Sequence, residues 1–422
     1  MSIQTRTVVF AIRHNEARVL DAVHRQMSGS AFADLGLAVV GLGTQYPAYL
    51  LPPGQLEALS RRFYPDSPAM SKVLSINRSA GIETRASIAP FDHAMHSGEE
   101  TMSIADLHDV FMREGVPLAV SAAEKALAES GLDLASITHV VSATCTDSAN
   151  PGFDHFVTKG LGITHPVEKV LLHGVGCSGG LAALRTAANL ALGHAARRLP
   201  ARVLCVTLEV NTPMARSELD RVHRSQETRI AACLFSDAAT AVVLSNDVGL
   251  QVTPVYELLG WQHRIIPDTE QELGFDVEPS GWKAILTSRV PDVSAAAIVP
   301  TFNALLAALP PLPRGYAAAA DFDWALHPGG PAILREAARV LGGGVTREQH
   351  LRASWDVYGS RGNSGSATIY SVLDRLRRVE RERENGHGDG VERRDCAREY
   401  VVACAFGPGV AVEMCMLRRV VP

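Results

Sequence analysis

"VLLHGVGCSGGLAALRTAANLALG", residues 170–193, runs from an apolar, strand-like segment into an alanine- and leucine-rich helical pattern, with Cys177 among glycines at the join. A short apolar run feeding a helix through a glycine turn is the repeating unit of a layered α/β protein. The start of a helix gathers unpaired backbone N–H groups and positive potential, which favour a thiolate over a thiol. Gly174, Gly176, Gly179 and Gly180 leave space for a tight turn and for close approach of a substrate acyl group. Cysteine is also a common small core filler, so the local pattern leaves Cys177 open between buried filler and activated nucleophile.

The same alternation extends along the chain in both directions. Strand-like runs are expected at 35–43, 138–146, 169–176, 201–210, 239–246, 250–260 and 322–328. Helices are expected around 116–130, 178–196, 296–308, 330–341 and 364–378, and a β-hairpin around Gly407-Pro408-Gly409 closes the chain. This inventory is α/β and suits two similar halves, residues 35–247 and 248–422, behind an N-terminal extension of residues 1–34. The segment 377–395, "RRVERERENGHGDGVERRD", is dense in both charges and centred on glycines, so a solvated helix end followed by a mobile loop at about 379–395 is expected.

Bulk composition removes several classes of function. The 422 residues suffice for a large core, and a net charge of −5 leaves no electrostatic footprint for nucleic acid. Seven dispersed cysteines without a CxxC pair signal neither a disulfide framework nor a zinc site, so no metal is expected. Neither a secretory signal nor an uninterrupted apolar run of about 18 residues is present, which together with the free cysteines predicts a cytoplasmic protein without a membrane span.

A nucleophilic thiol needs a basic partner. Among 15 histidines, His327 in "DWALHPGGPAIL" ends an apolar run and meets Pro328, Gly329 and Gly330, so it should emerge at a sheet edge. A lone histidine there is commonly structural. Asn363, in "YGSRGNSGSATIYSVL", directly precedes a helix and reads equally as a plain helix cap. Spacing alone does not decide among these roles.

Four motifs in order, "GVGCSGG" (174–180), "WALHPGGPAIL" (324–334), "GNSGSAT" (362–368) and "AFGPG" (405–409), resemble those of type III polyketide synthases, the chalcone synthase-like branch of the thiolase superfamily. The resemblance spans about residues 35–422. The stretch "PDSPAMSKVLSINRSAGIETRASI" (65–88) is similar to fungal members that make alkylated resorcylic acids and pyrones. The resemblance implies a thiolase fold of five layers, αβαβα, a homodimer, and a triad of Cys177, His327 and Asn363. It implies acyl-coenzyme A and malonyl-coenzyme A as substrates, without a cofactor.

Further roles follow from matched positions. Phe235 in "CLFSDAAT" stands where the family has a gatekeeper between the coenzyme A tunnel and the catalytic cavity, and Phe406 lies in the terminal loop motif. Ala284 falls where plant members carry a second gatekeeper phenylalanine, which predicts a wider cavity. Glu209, Asn211 and Thr212 of "EVNTPM" are expected to line a reshaped pocket; Lys72 and Arg78 to hold coenzyme A phosphates; Asn150 to reach the neighbouring subunit. Ala405 replaces the glycine usual in the terminal loop, which leaves its local backbone shape open. The implied reaction loads a fatty acyl starter on Cys177, extends it by decarboxylative condensation, and cyclises the product to an alkylresorcinol, resorcylic acid or pyrone. The rival on this fold is an initiating 3-ketoacyl-carrier-protein synthase; a thiolase using Cys404 as second cysteine, a papain-like hydrolase and a non-catalytic binding module are further alternatives.

Overall fold

The computed structural model describes residues 31–32, 34–249, 253–384 and 398–420. The expected N-terminal extension therefore lies outside the described residues apart from its last few positions, and so does the expected charged loop beyond residue 384. Thirteen strands are present among the described residues: β1 (Leu37–Gln45), β2 (Tyr49–Leu51), β3 (Arg85–Ser87), β4 (His139–Ala143), β5 (Glu168–Leu172), β6 (Arg202–Glu209), β7 (Ala238–Asn246), β8 (Tyr256–Ile265), β9 (Leu273–Glu278), β10 (Gly281–Leu286), β11 (Asp323–Leu326), β12 (Tyr400–Gly407) and β13 (Ala411–Arg419).

Nine of these form one sheet in the order β11-β12-β13-β8-β1-β7-β6-β4-β5. Outward from the central β8–β1 pair, both sides repeat one pattern. β7, β6 and β4 follow β1 in antiparallel, antiparallel and parallel pairings, and β13, β12 and β11 follow β8 in the same sequence. The fold is thus two similar halves sharing a central strand pair.

Strand alternation distributes the side chains into layers. Leu204, Val206 and Leu208 of β6 pack with Ala119, Ala122 and Ala126 of the helix Val116–Ser130, whereas Val203 and Cys205 face Leu184 and Ala187 of the helix Gly179–Ala196. In the other half Val401, Ala403 and Ala405 of β12 join that central layer, beside Ile369 and Leu373 of the helix Thr368–Glu384. Val402, Cys404 and Phe406 turn to the opposite side, against Phe302 of the helix Val290–Ala308 and Leu334 of the helix Pro331–Leu341. Two buried central helices are therefore covered on each face by one half of the nine-stranded sheet and an outer helical layer, the αβαβα order of the thiolase fold. Trp324 in β11 is fully buried in the outer core, and its truncation to alanine costs about 3–5 kcal/mol.

Several elements differ from the expectation. β8 starts at Tyr256 rather than at 250, and the helix expected at 296–308 begins at Val290, with Pro291 in its first turn and Pro300 inside it. Pro291 needs no N–H partner there and presets the helical φ. The hairpin β9–β10 and the helices Gly54–Phe63, Ala215–Ser225 and Arg352–Arg361 were not among the expected elements. Ala405 causes no distortion: β12 continues through Gly407, and Ala405 pairs with Glu413. Among the described residues one helix, Val290–Ala308, is long and apolar enough to cross a membrane, and Ile298, Phe302 and Leu305 on it belong to the outer core.

Candidate active site

Cys177 lies in a short 3-10 turn, Gly176–Ser178, that leads straight into the helix Gly179–Ala196. Gly176 is required twice over: its φ is +47°, and a Cβ there would sit 2.6 Å from Pro408 Cδ. Gly180 has another task, since a Cβ would fall 2.5 Å from Ile369 Cγ2 and 2.8 Å from the Ser366 carbonyl. It lets the two central helices touch, as does Gly179 against Ser366. The expectation that these last two glycines admit the substrate is corrected: they face protein.

His327 directly follows β11, and its N–H donates to the Cys404 carbonyl at 2.8 Å. Asn363 is fixed from both sides. Its N–H donates to the Leu234 carbonyl at 3.0 Å, and its Oδ1 accepts from the Gly365 N–H at 2.9 Å and the Thr368 hydroxyl at 3.3 Å. The two readings of Asn363 are compatible, because the oxygen end serves the turn while Nδ2 bonds the Gly329 carbonyl at 3.3 Å and offers a hydrogen bond to the Cys177 sulfur. Three distant motifs thus meet: Cys177, His327 and Asn363 line one cavity of about 30 Å³, together with Phe235, Phe275 and Phe406.

The wall opposite the thiol is a pair of rings, Phe235 and Phe275, with centroids 5.8 Å apart and planes tilted by 36°. Both also line a second cavity of about 20 Å³ bounded by Asn211, Thr212, Trp282 and Ala284, so the pair partitions two small spaces. Phe275 had no sequence signal as a site residue. It sits directly opposite Ala284 in the β9–β10 hairpin, so the aromatic bulk missing at Ala284 is supplied from the facing strand. The widening expected from Ala284 is offset accordingly.

Burial governs the charges. The Cys177 thiol is pushed up to about 12 by loss of solvent and by the Glu209 carboxylate, against which the hydrogen bond from Asn363 acts. The imidazole of His327, 1% exposed and with no hydrogen-bond partner on either nitrogen, is pushed down to about 3 by burial. Taken singly, each group is neutral. Both groups are thus uncharged in this geometry, with the thiol and the imidazole lining the same cavity. The resting thiolate expected from the helix start alone is outweighed by desolvation.

The remaining expected residues fall in different places. Glu209 is fully buried beside the cavity and not on its surface: it accepts from the Cys145 N–H at 3.1 Å, from the Thr146 hydroxyl at 2.9 Å and from the Ser366 hydroxyl, and burial raises its carboxyl. Asn211 and Thr212 reach the second cavity, yet their polar groups serve the protein: Asn211 Nδ2 donates to the Ser236 carbonyl at 2.7 Å and the Thr212 hydroxyl to Asp237. Lys72 and Arg78 are exposed on the helix Pro68–Ser79, where Arg78 pairs with Glu57 at 3.1 Å, and neither lines the Cys177 cavity. Asn150 is exposed on the loop after β4. A larger cavity, about 720 Å³, lies elsewhere, between Leu35, Pro254 and Pro311, and is lined by none of Cys177, His327 and Asn363.

The family profile described as "Chalcone and stilbene synthases, N-terminal domain" matches residues 92–248, and "Chalcone and stilbene synthases, C-terminal domain" matches residues 257–421. The type III polyketide synthase pspB of Penicillium soppii is 42% identical over 402 residues, 91% of this chain and 96% of that protein. The acylalkylpyrone synthase csyB of Aspergillus oryzae is 36% identical, covering 91% and 94%, and a crystal structure of CsyB complexed with CoA-SH superposes with a TM-score of 0.84. The type III pentaketide synthase structure from Neurospora crassa is 54% identical, with a TM-score of 0.86, covering 91% of this chain and all of that one.

Proposed function

The chain belongs to the chalcone and stilbene synthase family and is a type III polyketide synthase, and on that premise we propose that it builds an alkylated resorcinol, resorcylic acid or pyrone from a fatty acyl-coenzyme A and malonyl-coenzyme A. The observation that carries the assignment of its catalytic residues is the meeting of Cys177, His327 and Asn363 in one cavity. His327 takes the Cys177 proton, the thiolate attacks the starter thioester carbonyl, and coenzyme A leaves as its thiol with that proton. The acyl group stays on Cys177.

Malonyl-coenzyme A then binds with its thioester oxygen towards His327 and Asn363 Nδ2. Loss of carbon dioxide puts negative charge on that oxygen, and donors placed there in advance lower the barrier. The resulting carbanion attacks the acyl-cysteine carbonyl, a carbon–carbon bond forms, and the bond to Cys177 Sγ breaks. A neutral amide suits this step, since it donates without transferring a proton and an aspartate would repel the enolate. No cofactor is required by this chemistry.

A cavity of about 30 Å³ is about the share of one water molecule in the liquid. A fatty acyl chain needs far more room, so Phe235 and Phe275 swing apart when the starter loads. That the csyB relative is an acylalkylpyrone synthase supports an alkyl starter and pyrone-type product. Lys72 and Arg78 remain the proposed contacts of the coenzyme A phosphates, as exposed cations on the described surface.

The two halves meet near residue 247, between β7 and β8. We place the homodimer contact at the Val170–Leu172 end of β5, an edge strand whose half-buried apolar residues and one unpaired side a second copy would cover, leaving Glu168 at the strand start outside it. Asn150, exposed on the preceding loop, is then available to the neighbouring cavity. The cytoplasm is the proposed compartment, in keeping with six described cysteines, all free. Incubation with labelled malonyl-coenzyme A and a chain-length series of acyl-coenzyme A starters, with product mass spectrometry, tests the reading: medium or long starters should give carbon dioxide release and cyclised products, and turnover restricted to short or aromatic starters refutes the substrate class.

A further inference from the structure

His139 opens β4 and Glu168 opens β5, directly opposite each other in register, while His194 lies in the last turn of the helix Gly179–Ala196. One candidate ligand atom from each of the three lies within 4.8 Å of the other two. The His139 and His194 rings meet edge to face with centroids 4.5 Å apart, and His139 Nε2 is 3.7 Å from Glu168 Oε2. This cluster lies at the far end of the sheet from Cys177. The helix that starts at the catalytic turn ends here, 18 residues and about 27 Å later.

The decisive atom is His139 Nε2. The side chain is 1% exposed, and this nitrogen is buried without a hydrogen-bond partner. Buried polar atoms are rarely left so, because desolvation is then uncompensated. The other ring nitrogens are committed in the manner of metal-ligating histidines. His139 Nδ1 lies 2.7 Å from the Thr138 hydroxyl, whose own proton is directed to the Arg202 carbonyl; the ring therefore donates at Nδ1 and leaves a lone pair on Nε2. His194 Nδ1 lies 3.1 Å from the Pro200 carbonyl, which can only accept, so that ring too keeps its lone pair on Nε2.

We propose that His139, His194 and Glu168 bind one first-row divalent cation of the imidazole-preferring kind, zinc foremost, as a structural tie. Two neutral imidazoles and a carboxylate are a ligand set for zinc, with the fourth position left to water. Glu168 has a side chain 70% exposed and is free to swing the short distance to the ion. Arg197 is a nearby cation, and its guanidinium bonds back to the Gly193 carbonyl. The dispersed cysteines gave no zinc signal, and two histidines this far apart in sequence have no spacing to read.

The test uses the full-length, untagged protein after chelator treatment. Titration with Co²⁺ should give one equivalent with the visible d–d bands of a tetrahedral N/O site and no thiolate charge-transfer band, displaceable by Zn²⁺. Glu168→Gln and His194→Ala should each weaken Zn²⁺ binding by about tenfold or more, and the double variant should abolish the band. Both positions lie at least partly at the surface, and retained polyketide formation checks the fold independently of metal. Unchanged stoichiometry and affinity in the double variant, or no cobalt binding by the parent, overturns the proposal.

Discussion

Phe235 and Asn363 are joined backbone to backbone in an isolated parallel bridge: Asn363 N–H donates to Leu234 O at 3.0 Å, and Ser236 N–H donates to Asn363 O at 2.9 Å. One short bridge therefore positions both a ring of the cavity wall and the amide that faces Cys177. Since the bridge uses main-chain atoms only, the two side chains can be altered separately.

Asn363→Ala should lower malonyl-coenzyme A decarboxylation by about two to three powers of ten, the usual cost of one oxyanion donor, while acylation of Cys177 survives. Intact-protein mass spectrometry after incubation with an acyl-coenzyme A should still show the acyl adduct. Decarboxylation as fast as in the parent would remove Asn363 from the mechanism.

The buried pair Cys177 and His327 sets the pH behaviour of the thiol. With His327 present the proton has an acceptor, so Cys177 should react with iodoacetamide near neutral pH. In His327→Ala that acceptor is gone and the thiol is left with its burial-raised value of about 12, so alkylation at pH 7.5 should fall by at least about tenfold. The rate should recover only as the pH climbs towards that value. Equal rates at pH 7.5 would show that the thiolate owes nothing to the imidazole.

Phe275 and Ala284, paired across β9 and β10, should control starter length in opposite directions. Phe275→Gly removes half of the aromatic partition and is expected to shift the preferred starter to longer chains and the product pattern with it. Ala284→Phe adds a ring beside Phe235 in a space of about 20 Å³ and should exclude the longest starters. Competition between acyl-coenzyme A substrates of different length measures both, and parallel shifts in the two variants would contradict a partition role.

The meeting of Cys177, His327 and Asn363 in one cavity was legible because each sits at an end that sequence marks: Cys177 and Asn363 before helices, and His327 after a strand and before Pro328. The layered α/β class was legible from runs such as 201–210, apolar on both faces. Phe275 was not, because its role depends on facing Ala284 across a hairpin and stacking on Phe235, neither of which is local in sequence. Gly179 and Gly180 were misread for the same reason. A glycine beside a nucleophile suggests space for substrate, yet Ser366 and Ile369 arrive from another motif to fill it.

That packing is itself testable. Gly180→Ala would force a methyl to 2.5 Å from Ile369 Cγ2, and the central helices must separate to admit it. Overpacking of this kind costs about 1–3 kcal/mol. Denaturant unfolding should show that loss, and Ile369→Ala, which removes the clashing Cγ2, should cost less stability in the Gly180→Ala chain than in the parent. Unaltered stability of Gly180→Ala would mean that the helices yield without cost.

Asp237 supplies the last prediction. It is fully buried and accepts from the N–H groups of Ile88, Asn211 and Thr212 at 2.9, 2.6 and 2.8 Å, holding together the loop that carries Asn211 and Thr212. Burial raises its carboxyl to about 6, despite hydrogen bonds that favour the anion. The folded chain then binds this proton more tightly than the unfolded chain, whose aspartate titrates near 3.9. Stability from this group is therefore full below about pH 4, falls as the pH rises through 6, and is level above. Asp237→Asn should be less stable than the parent at every pH, because an amide cannot accept at both ends. It lacks the titration, however, so the gap between the two should narrow by about 2–3 kcal/mol from pH 4 to pH 7. Urea unfolding at the two pH values measures it. A gap that widens with pH would mean that the three N–H donors outweigh burial and that the carboxyl titrates below its unfolded value.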